Sequence, residues 1–272
     1  MISGYGPVPA SQRPDPAVAY WETEAEQYYR EHAGSLGTDR LVWCPEGLDE
    51  SQAHLLGDVA GQRVLEVGCG AAQGARWAAG AGAQVVGIDL SFGMLSVGRR
   101  LGSDGFTLAQ ADAAALPFAD SAFDLAFSAF GALPHVPSVA DVYAEVARVL
   151  RPGGRWVFST DHPFAWVFPD SPDPAELWVN HSYFDREPYF ERAATGELAY
   201  TQYHATLADH FTGLSRAGFV VDYLAEPEWT KSAAADAEWT AWSRPRGALV
   251  PSTIIIAAHL PESGQAAVKP SS

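Results

Sequence analysis

Cysteine, basic residues and long apolar runs are all scarce in this chain, and each scarcity removes a class of explanation. There are two cysteines among 272 residues. Cys44 and Cys69 lie far apart with no second ligand at metal spacing, so neither a disulfide framework nor a zinc site is expected and both read as reduced thiols. No uncharged apolar run reaches the ~18 residues of a membrane span. The opening MISGYGPVPASQRPDP lacks a basic stretch followed by an apolar one, so no secretory leader is expected and a cytoplasmic location is. Lys and Arg total 17 against 33 Asp and Glu, a formal net charge of −16. That field repels phosphate backbones and anionic bilayers, so nucleic acid and membrane surfaces are not expected partners.

What is present suffices for a substantial core: 47% of the residues are hydrophobic, enough for one large domain with an appendage. Residues 1–15, rich in Pro, Gly and Ser, are expected to be disordered. From Pro16 to about His32 the spacing is helical, and Trp21, Ala25, Tyr28 and Tyr29 form a stripe that must cover something apolar. A second helix is expected from Asp49, its N-cap, to Val59. Together these make an N-terminal helical cap over 16–60.

Over 61–260 the pattern changes to short, nearly continuous apolar runs at helix-sized separations. Arg63–Val67, Gln84–Asp89, Phe106–Ala111, Phe123–Ser128 and Arg155–Thr160 read as strands buried on both faces. Helices are predicted near 73–80, 91–101 and 138–150. This alternation implies βαβ units and a Rossmann-like, doubly wound α/β sheet. Residues 162–205 break the regularity with aromatics, prolines and histidines and read as an inserted lid, with room for a hairpin. LADHFTGLSRAG returns to helical spacing, FVVDYLAE and STIIIAAHL add two strands, and 261–272 is expected to be a flexible tail.

Chemistry concentrates in EVGCGAAQGA, where Gly68, Gly70 and Gly74 follow the first buried strand and precede a helix. Glycine permits a sharp turn and close approach to a ligand, and the helix start offers free N–H groups. A dinucleotide fingerprint would place its third glycine one residue earlier. Asp89 closes the second strand, where a carboxylate can accept from both hydroxyls of a ribose; the competing role, capping the next helix, suits Ser91 at least as well. Asp112, just past the third strand, is placed to accept from an adenine amino group, unless it is only a polar loop residue.

In order and at the expected separations, VLEVGCG, GIDLSFGML, AQADAAALPF, SAFDLAF and RVLRPGG resemble the motifs of class I S-adenosylmethionine-dependent methyltransferases, especially the group that includes ubiquinone and menaquinone methyltransferases. The resemblance covers about residues 60–160. It implies a seven-stranded sheet with an antiparallel last strand, S-adenosylmethionine as cofactor, and methyl transfer to a small-molecule acceptor. It also implies that Glu66 and the Gly68, Cys69, Gly70 loop meet the methionine portion, with Cys69 a packing residue rather than a nucleophile. Asp89 would meet the ribose, Leu90 and Met94 the adenine faces, Asp112 and Ala113 its edge, and Ser128 the methionine amino and carboxylate groups. The usual loop continues Gly-Thr/Ser-Gly, whereas here Gly70 is followed by Ala71 and Ala72, so one small hydroxyl contact is missing.

An activated methyl needs alignment and exclusion of water more than a catalytic triad, although a hydroxyl or amine acceptor gains from a base. His162, His204 and His135, in that order, are the candidates, each against the alternative of a structural histidine. Trp166, Tyr183 and Phe184 in the insertion, with Trp229, Trp239 and Trp242 beyond it, either face an acceptor with an aromatic or extended apolar part or form the lid's own small core. A largely uncharged acceptor is expected, no metal is, and a homodimer is compatible with the sequence. The rival readings are an NAD(P)-dependent oxidoreductase and a non-catalytic S-adenosylmethionine-binding protein.

Overall fold

The computed structural model describes residues 2–8, 15–196, 198–231, 233, 238, 242–262 and 264. The chain opens with β1 (Ile2–Tyr5) and α1 (Asp15–Leu36), then α2 (Glu50–Ala53), β2 (Arg63–Val67), α3 (Gln73–Gly80), β3 (Gln84–Asp89), α4 (Phe92–Arg100), β4 (Phe106–Gln110) and β5 (Phe123–Ala129). It continues through α5 (Val139–Val149), β6 (Leu150–Asp161), β7 (Tyr189–Arg192), β8 (Leu198–Gln202), α6 (Leu207–Arg216), β9 (Val220–Ala225), α7 (Arg244–Gly247) and β10 (Thr253–His259).

Seven strands form one sheet in the order β4-β3-β2-β5-β6-β10-β9. The five strands from β4 to β6 run parallel, and β10 is antiparallel to both β6 and β9. The apolar runs lack a polar alternation because both faces are buried. Leu65, Trp156, Phe158, Ile254 and Ile256 pack toward Val142, Tyr143 and Val146 of α5 and Leu214 of α6. Val64, Leu125, Phe127, Val157 and Ile255 pack toward Ala75 and Ala78 of α3 and toward Trp43, Leu55 and Leu56. Successive residues therefore serve opposite layers.

Helix α1 lies across the carboxyl ends of the strands. Its stripe covers what it was expected to need: Ala25 joins Ala71, Met94 and Val97 in a small cluster, with Trp21, Tyr28 and Tyr29 against it. The Glu22 carboxylate accepts from the N–H groups of Phe92 (2.5 Å) and Gly93 (2.8 Å), the first free amides of α4. An acidic side chain at a helix N-terminus is electrostatically favoured as well as hydrogen-bonded.

Three expectations are corrected. Residues 2–8 are not uniformly disordered: β1 pairs antiparallel with β7, completing a three-stranded sheet with β8 inside the 162–205 insertion. Hydrogen bonding to the otherwise open edge of β7 supplies the order that composition did not suggest. The second helix ends at Ala53, because buried Glu50 takes the N–H groups of Leu55 (3.0 Å) and Leu56 (2.6 Å) as well as the Trp43 indole N–H (2.8 Å). His54 accordingly turns left-handed at φ 49°. Asp49 occupies the N-cap position but bonds Arg40 and Ser51 instead of the helix amides. Trp239 and most of the 261–272 tail lie outside the described residues. Among the described residues no helix is long and apolar enough to cross a membrane, and no group of His, Cys, Asp and Glu could hold a metal ion.

Glu50→Ala leaves three buried donors without an acceptor. It is expected to lower stability by at least about 2 kcal/mol in urea denaturation, with Glu50→Gln, which keeps one acceptor oxygen, falling between it and the wild type.

Candidate functional site

At the carboxyl end of β2 the backbone turns through Gly68 at φ +70° and Gly70 at φ +51°. A Cβ on Gly68 would collide with the amide of Ala132 and the backbone of Gly131, and one on Gly131 would sit 2.5 Å from the Gly68 carbonyl oxygen. The loops after β2 and β5 thus touch backbone to backbone, which only glycine on both sides allows. Gly131 escaped the sequence reading, although a glycine directly after a buried strand was a signal for it.

Asp89, at the end of β3, bonds the first loop to the second. Its Oδ2 accepts from the Gly70 N–H (2.8 Å) and its Oδ1 from the Ser91 N–H (2.9 Å). Burial raises its proton affinity above that of an ordinary carboxylate, while those amides work in the other direction. Capping of α4 falls to Ser91, whose Oγ accepts from the Met94 N–H at 3.1 Å. After β4, Asp112 Oδ1 accepts from the Ala114 N–H at 2.8 Å, which fixes the loop beside Ala113.

Glu66 is buried within β2, and its Oε2 has no hydrogen-bond partner. Burial pushes its carboxyl up to about 8, with Arg76 pulling down and Asp89 pushing up. A Cβ on Gly74 would overlap Glu66 Oε1 and reach 2.8 Å from the Phe127 ring. The late third glycine therefore lets α3 close onto Glu66. Ala72, where the usual loop has its second glycine, stands at φ +63°, a conformation costing a side-chain-bearing residue ~1–2 kcal/mol.

These groups enclose one end of a cavity of about 560 Å³. Its walls include Glu66, Gly68, Cys69, Gly70, Asp89, Leu90, Met94, Asp112 and Ala113. Trp21 and Tyr28 of α1 roof it, while Phe130, His135, Asp161, Tyr189, Tyr200 and Trp242 wall the far end. Burial holds the Cys69 thiol well above its ordinary pKa, so it stays a neutral packing group. Ser128 does not line this cavity: it is fully buried, its Oγ lying 2.8 Å from where a Gly131 Cβ would be. Strand alternation turns it into the core and leaves Ala129, Phe130 and Gly131 to face the space.

His162 and His204 line the second cavity and His135 the main one. His162 Nδ1 accepts from the Phe164 N–H (3.1 Å), so its Nε2 must carry the proton donated to Glu226 (2.8 Å). Both nitrogens of His162, the first candidate base on sequence, are thus engaged within the protein. His204 donates Nε2–H to the Tyr183 carbonyl (2.8 Å) and stacks on Trp166, in a second cavity. His135 alone lines the main cavity, its Nδ1 on the Thr201 carbonyl (3.3 Å), and burial depresses it to about 4. Tyr183 and Phe184 line neither cavity: the Tyr183 hydroxyl accepts from the Leu207 N–H, and Phe184 is exposed. Trp166 lines the second cavity.

Sequence reasoning missed Asp161. It ends β6 in the wall common to both cavities and accepts from the Gln202 amide, and burial pushes it up to about 7. Its position next to His162, at a strand's carboxyl end, was the available signal.

A methyltransferase domain profile matches residues 65–158. A demethylmenaquinone methyltransferase of Renibacterium salmoninarum is 38% identical over 154 residues, 56% of this chain and 62% of that protein. Methyltransferase GfsG of Streptomyces halstedii is 41% identical over 123 residues, covering 43% and 44% of the two chains. The chain thus spans less than two thirds of these relatives' length. A solved S-adenosylmethionine-dependent methyltransferase from Mesorhizobium loti is 30% identical, with a TM-score of 0.61 over 76% of this chain and 94% of that one. The chain belongs to the S-adenosylmethionine-dependent methyltransferase family. A Listeria monocytogenes structure at 24% identity and TM-score 0.65 agrees in fold.

The family's cofactor, S-adenosylmethionine, fits the residues present. The orphaned Glu66 oxygen is a buried acceptor without a donor, as a site for an ammonium requires, and the glycine loop leaves backbone rather than side chains along the wall. The nicotinamide alternative finds no support among these relatives. In the folded chain, Glu66 and Asp161 hold protons at pH values where the unfolded chain has released them. Stability should therefore fall as pH rises from about 5 to 8. Glu66→Gln is expected to flatten the upper part of that fall in melting temperature measured across the range. Gly74→Ala should destabilise by ~1–3 kcal/mol through overpacking and weaken cofactor binding in calorimetry.

Proposed function

We propose that this chain transfers a methyl group from S-adenosylmethionine to a small organic acceptor with an aromatic or extended apolar part. The observation that carries this reading is the joining of Asp89 to the Gly70 amide at one end of a 560 Å³ cavity whose other end is aromatic and acidic. When bound, S-adenosylmethionine supplies a methyl already activated on a sulfonium. Asp89 would accept from the ribose hydroxyls, Leu90 and Met94 would flank the adenine, Asp112 and Ala113 would meet its edge, and Glu66 with the Gly68–Gly70 backbone would hold the methionine end.

Catalysis by this chain is then mostly alignment and exclusion of water. Trp21 and Tyr28 close the cavity from above, and Tyr189, Tyr200 and Trp242 orient the acceptor. Where the acceptor must lose a proton, Asp161 is the group that takes it. Its carboxyl sits near 7, where a general base is most effective, whereas His135 is too weakly basic and His162 is fully bonded.

The acceptor end draws on Tyr20, Trp21, Asp161, Tyr189, Tyr200 and Trp242, all outside the 65–158 match. Kinship with enzymes named for demethylmenaquinone therefore supports the cofactor half and not that particular acceptor.

In calorimetry the purified chain should bind S-adenosylmethionine, with Asp89→Ala weakening it at least tenfold. No heat from a well-folded chain would end the reading. Incubated with radiolabelled cofactor and a small-molecule extract, the chain should label a metabolite. Asp161→Asn should slow that labelling ~100-fold or more while cofactor affinity holds.

A further inference from the structure

Beyond Asp161 lies a smaller cavity of about 110 Å³. It shares Pro134, Asp161, Asp170, Tyr189, Gln202 and Trp242 with the main one, so the two adjoin along that wall. With a water-sized group taking about 30 Å³, it has room for a carboxylate and a few carbon atoms.

Arg246 of α7 lines this annex and is 0% exposed. Its Nη1 donates to the carbonyl oxygens of Pro169 (2.6 Å) and Ser171 (2.8 Å), which fixes the plane of the guanidinium. Its Nε and Nη2, both buried, have no acceptor among the described residues. Those two nitrogens form one edge of the guanidinium and present parallel N–H bonds, the arrangement that receives a carboxylate side-on through two hydrogen bonds. A guanidinium stays protonated at neutral pH, and a buried charge left without a partner is costly. The fork is thus fixed and desolvated, and among the described residues no carboxylate hydrogen-bonds to it, Asp170 acting on Arg246 only through space.

The surroundings suit an organic acid. Phe168 lies under the guanidinium at 5.7 Å, and Tyr5, Trp166 and Trp242 add apolar faces. Arg246 is the only Arg or Lys lining the annex among the described residues. Asp161 and Asp170 oppose an anion there, although Asp161, pushed up to about 7, is neutral in much of the population near neutral pH.

We propose that the annex is the carboxylate seat of the methyl acceptor: an organic acid held bidentate by Nε and Nη2 of Arg246, its apolar body passing Asp161 toward the main cavity. This rests on the methyltransferase reading and replaces the expectation of a largely uncharged acceptor.

The test is calorimetry on the full chain saturated with S-adenosylhomocysteine, titrated with 3-phenylpropionate and with its neutral isostere 3-phenylpropionamide. The carboxylate is expected to bind at least tenfold tighter. Arg246→Lys, which keeps the charge but loses the fork, should reduce the carboxylate to the level of the amide. Because Arg246 also holds two backbone carbonyls, that variant's fold is checked by circular dichroism. Asp170→Asn, at an exposed position, supplies an independent arm of opposite sign: carboxylate binding should tighten and amide binding stay unchanged. Equal binding of the two probes, retention of the preference in Arg246→Lys, or weaker carboxylate binding in Asp170→Asn overturns the proposal. Absence of S-adenosylhomocysteine binding in the first step would instead retire the methyltransferase reading itself.

Discussion

Between Gly68 and Gly131 there is no space for a side chain, and the site is organised around that contact. Two strand-to-helix loops meet there with their backbones in van der Waals range, and Asp89 ties a third to the first through the Gly70 amide. Three consecutive βα connections become one floor, rigid because every joint is backbone or a short buried carboxylate. Ala72 and Phe130, each in the left-handed region, flank that floor at φ +63° and +50°. Such strain persists only where the surrounding packing over-determines the backbone, and here a sheet buried on both faces provides that packing.

The floor is also where an acidic protein has put carboxyl groups out of reach of water. Glu66, Asp89 and Asp161 are all raised chiefly by burial, and the chain supplies each with few neutralising partners. Arg246 is the mirror case, a buried cation with two nitrogens that have no hydrogen-bond acceptor among the described residues. Both kinds of group weaken the empty protein and have a reason to exist only if something else occupies the cavities.

The parallel core was legible because burial on both faces leaves a period-free apolar run, and β2 and β3 fall where Arg63–Val67 and Gln84–Asp89 said they would. The glycine loop, Asp89 and Asp112 lie at the strand ends where the sequence put them, because their spacing is set by local strand and turn geometry. What failed depended on distant partners. Nothing near Ile2 announces the edge of β7 nearly two hundred residues away, and nothing near Glu50 says that its carboxylate will end its own helix by taking the Leu55 and Leu56 amides. The surroundings of the histidines were equally illegible, since which ring nitrogen is engaged is decided by Glu226, Thr201 or Tyr183 across the fold. Arg246 and Asp161 became visible only when β6, α7 and the 162–205 insertion were brought together.

Helix α1 roofs the main cavity, held by its buried stripe and by two further contacts at its rim. Glu22 on the α4 amides and Glu26 with Arg100 are exposed contacts, and exposed ion pairs contribute at most ~1 kcal/mol each. Beneath it the central strands β2, β5 and β10 are buried on both faces. The main cavity is therefore closed by main chain on one side and by the side chains of one helix on the other, so changes of sequence in α1 can reshape its roof without disturbing its floor.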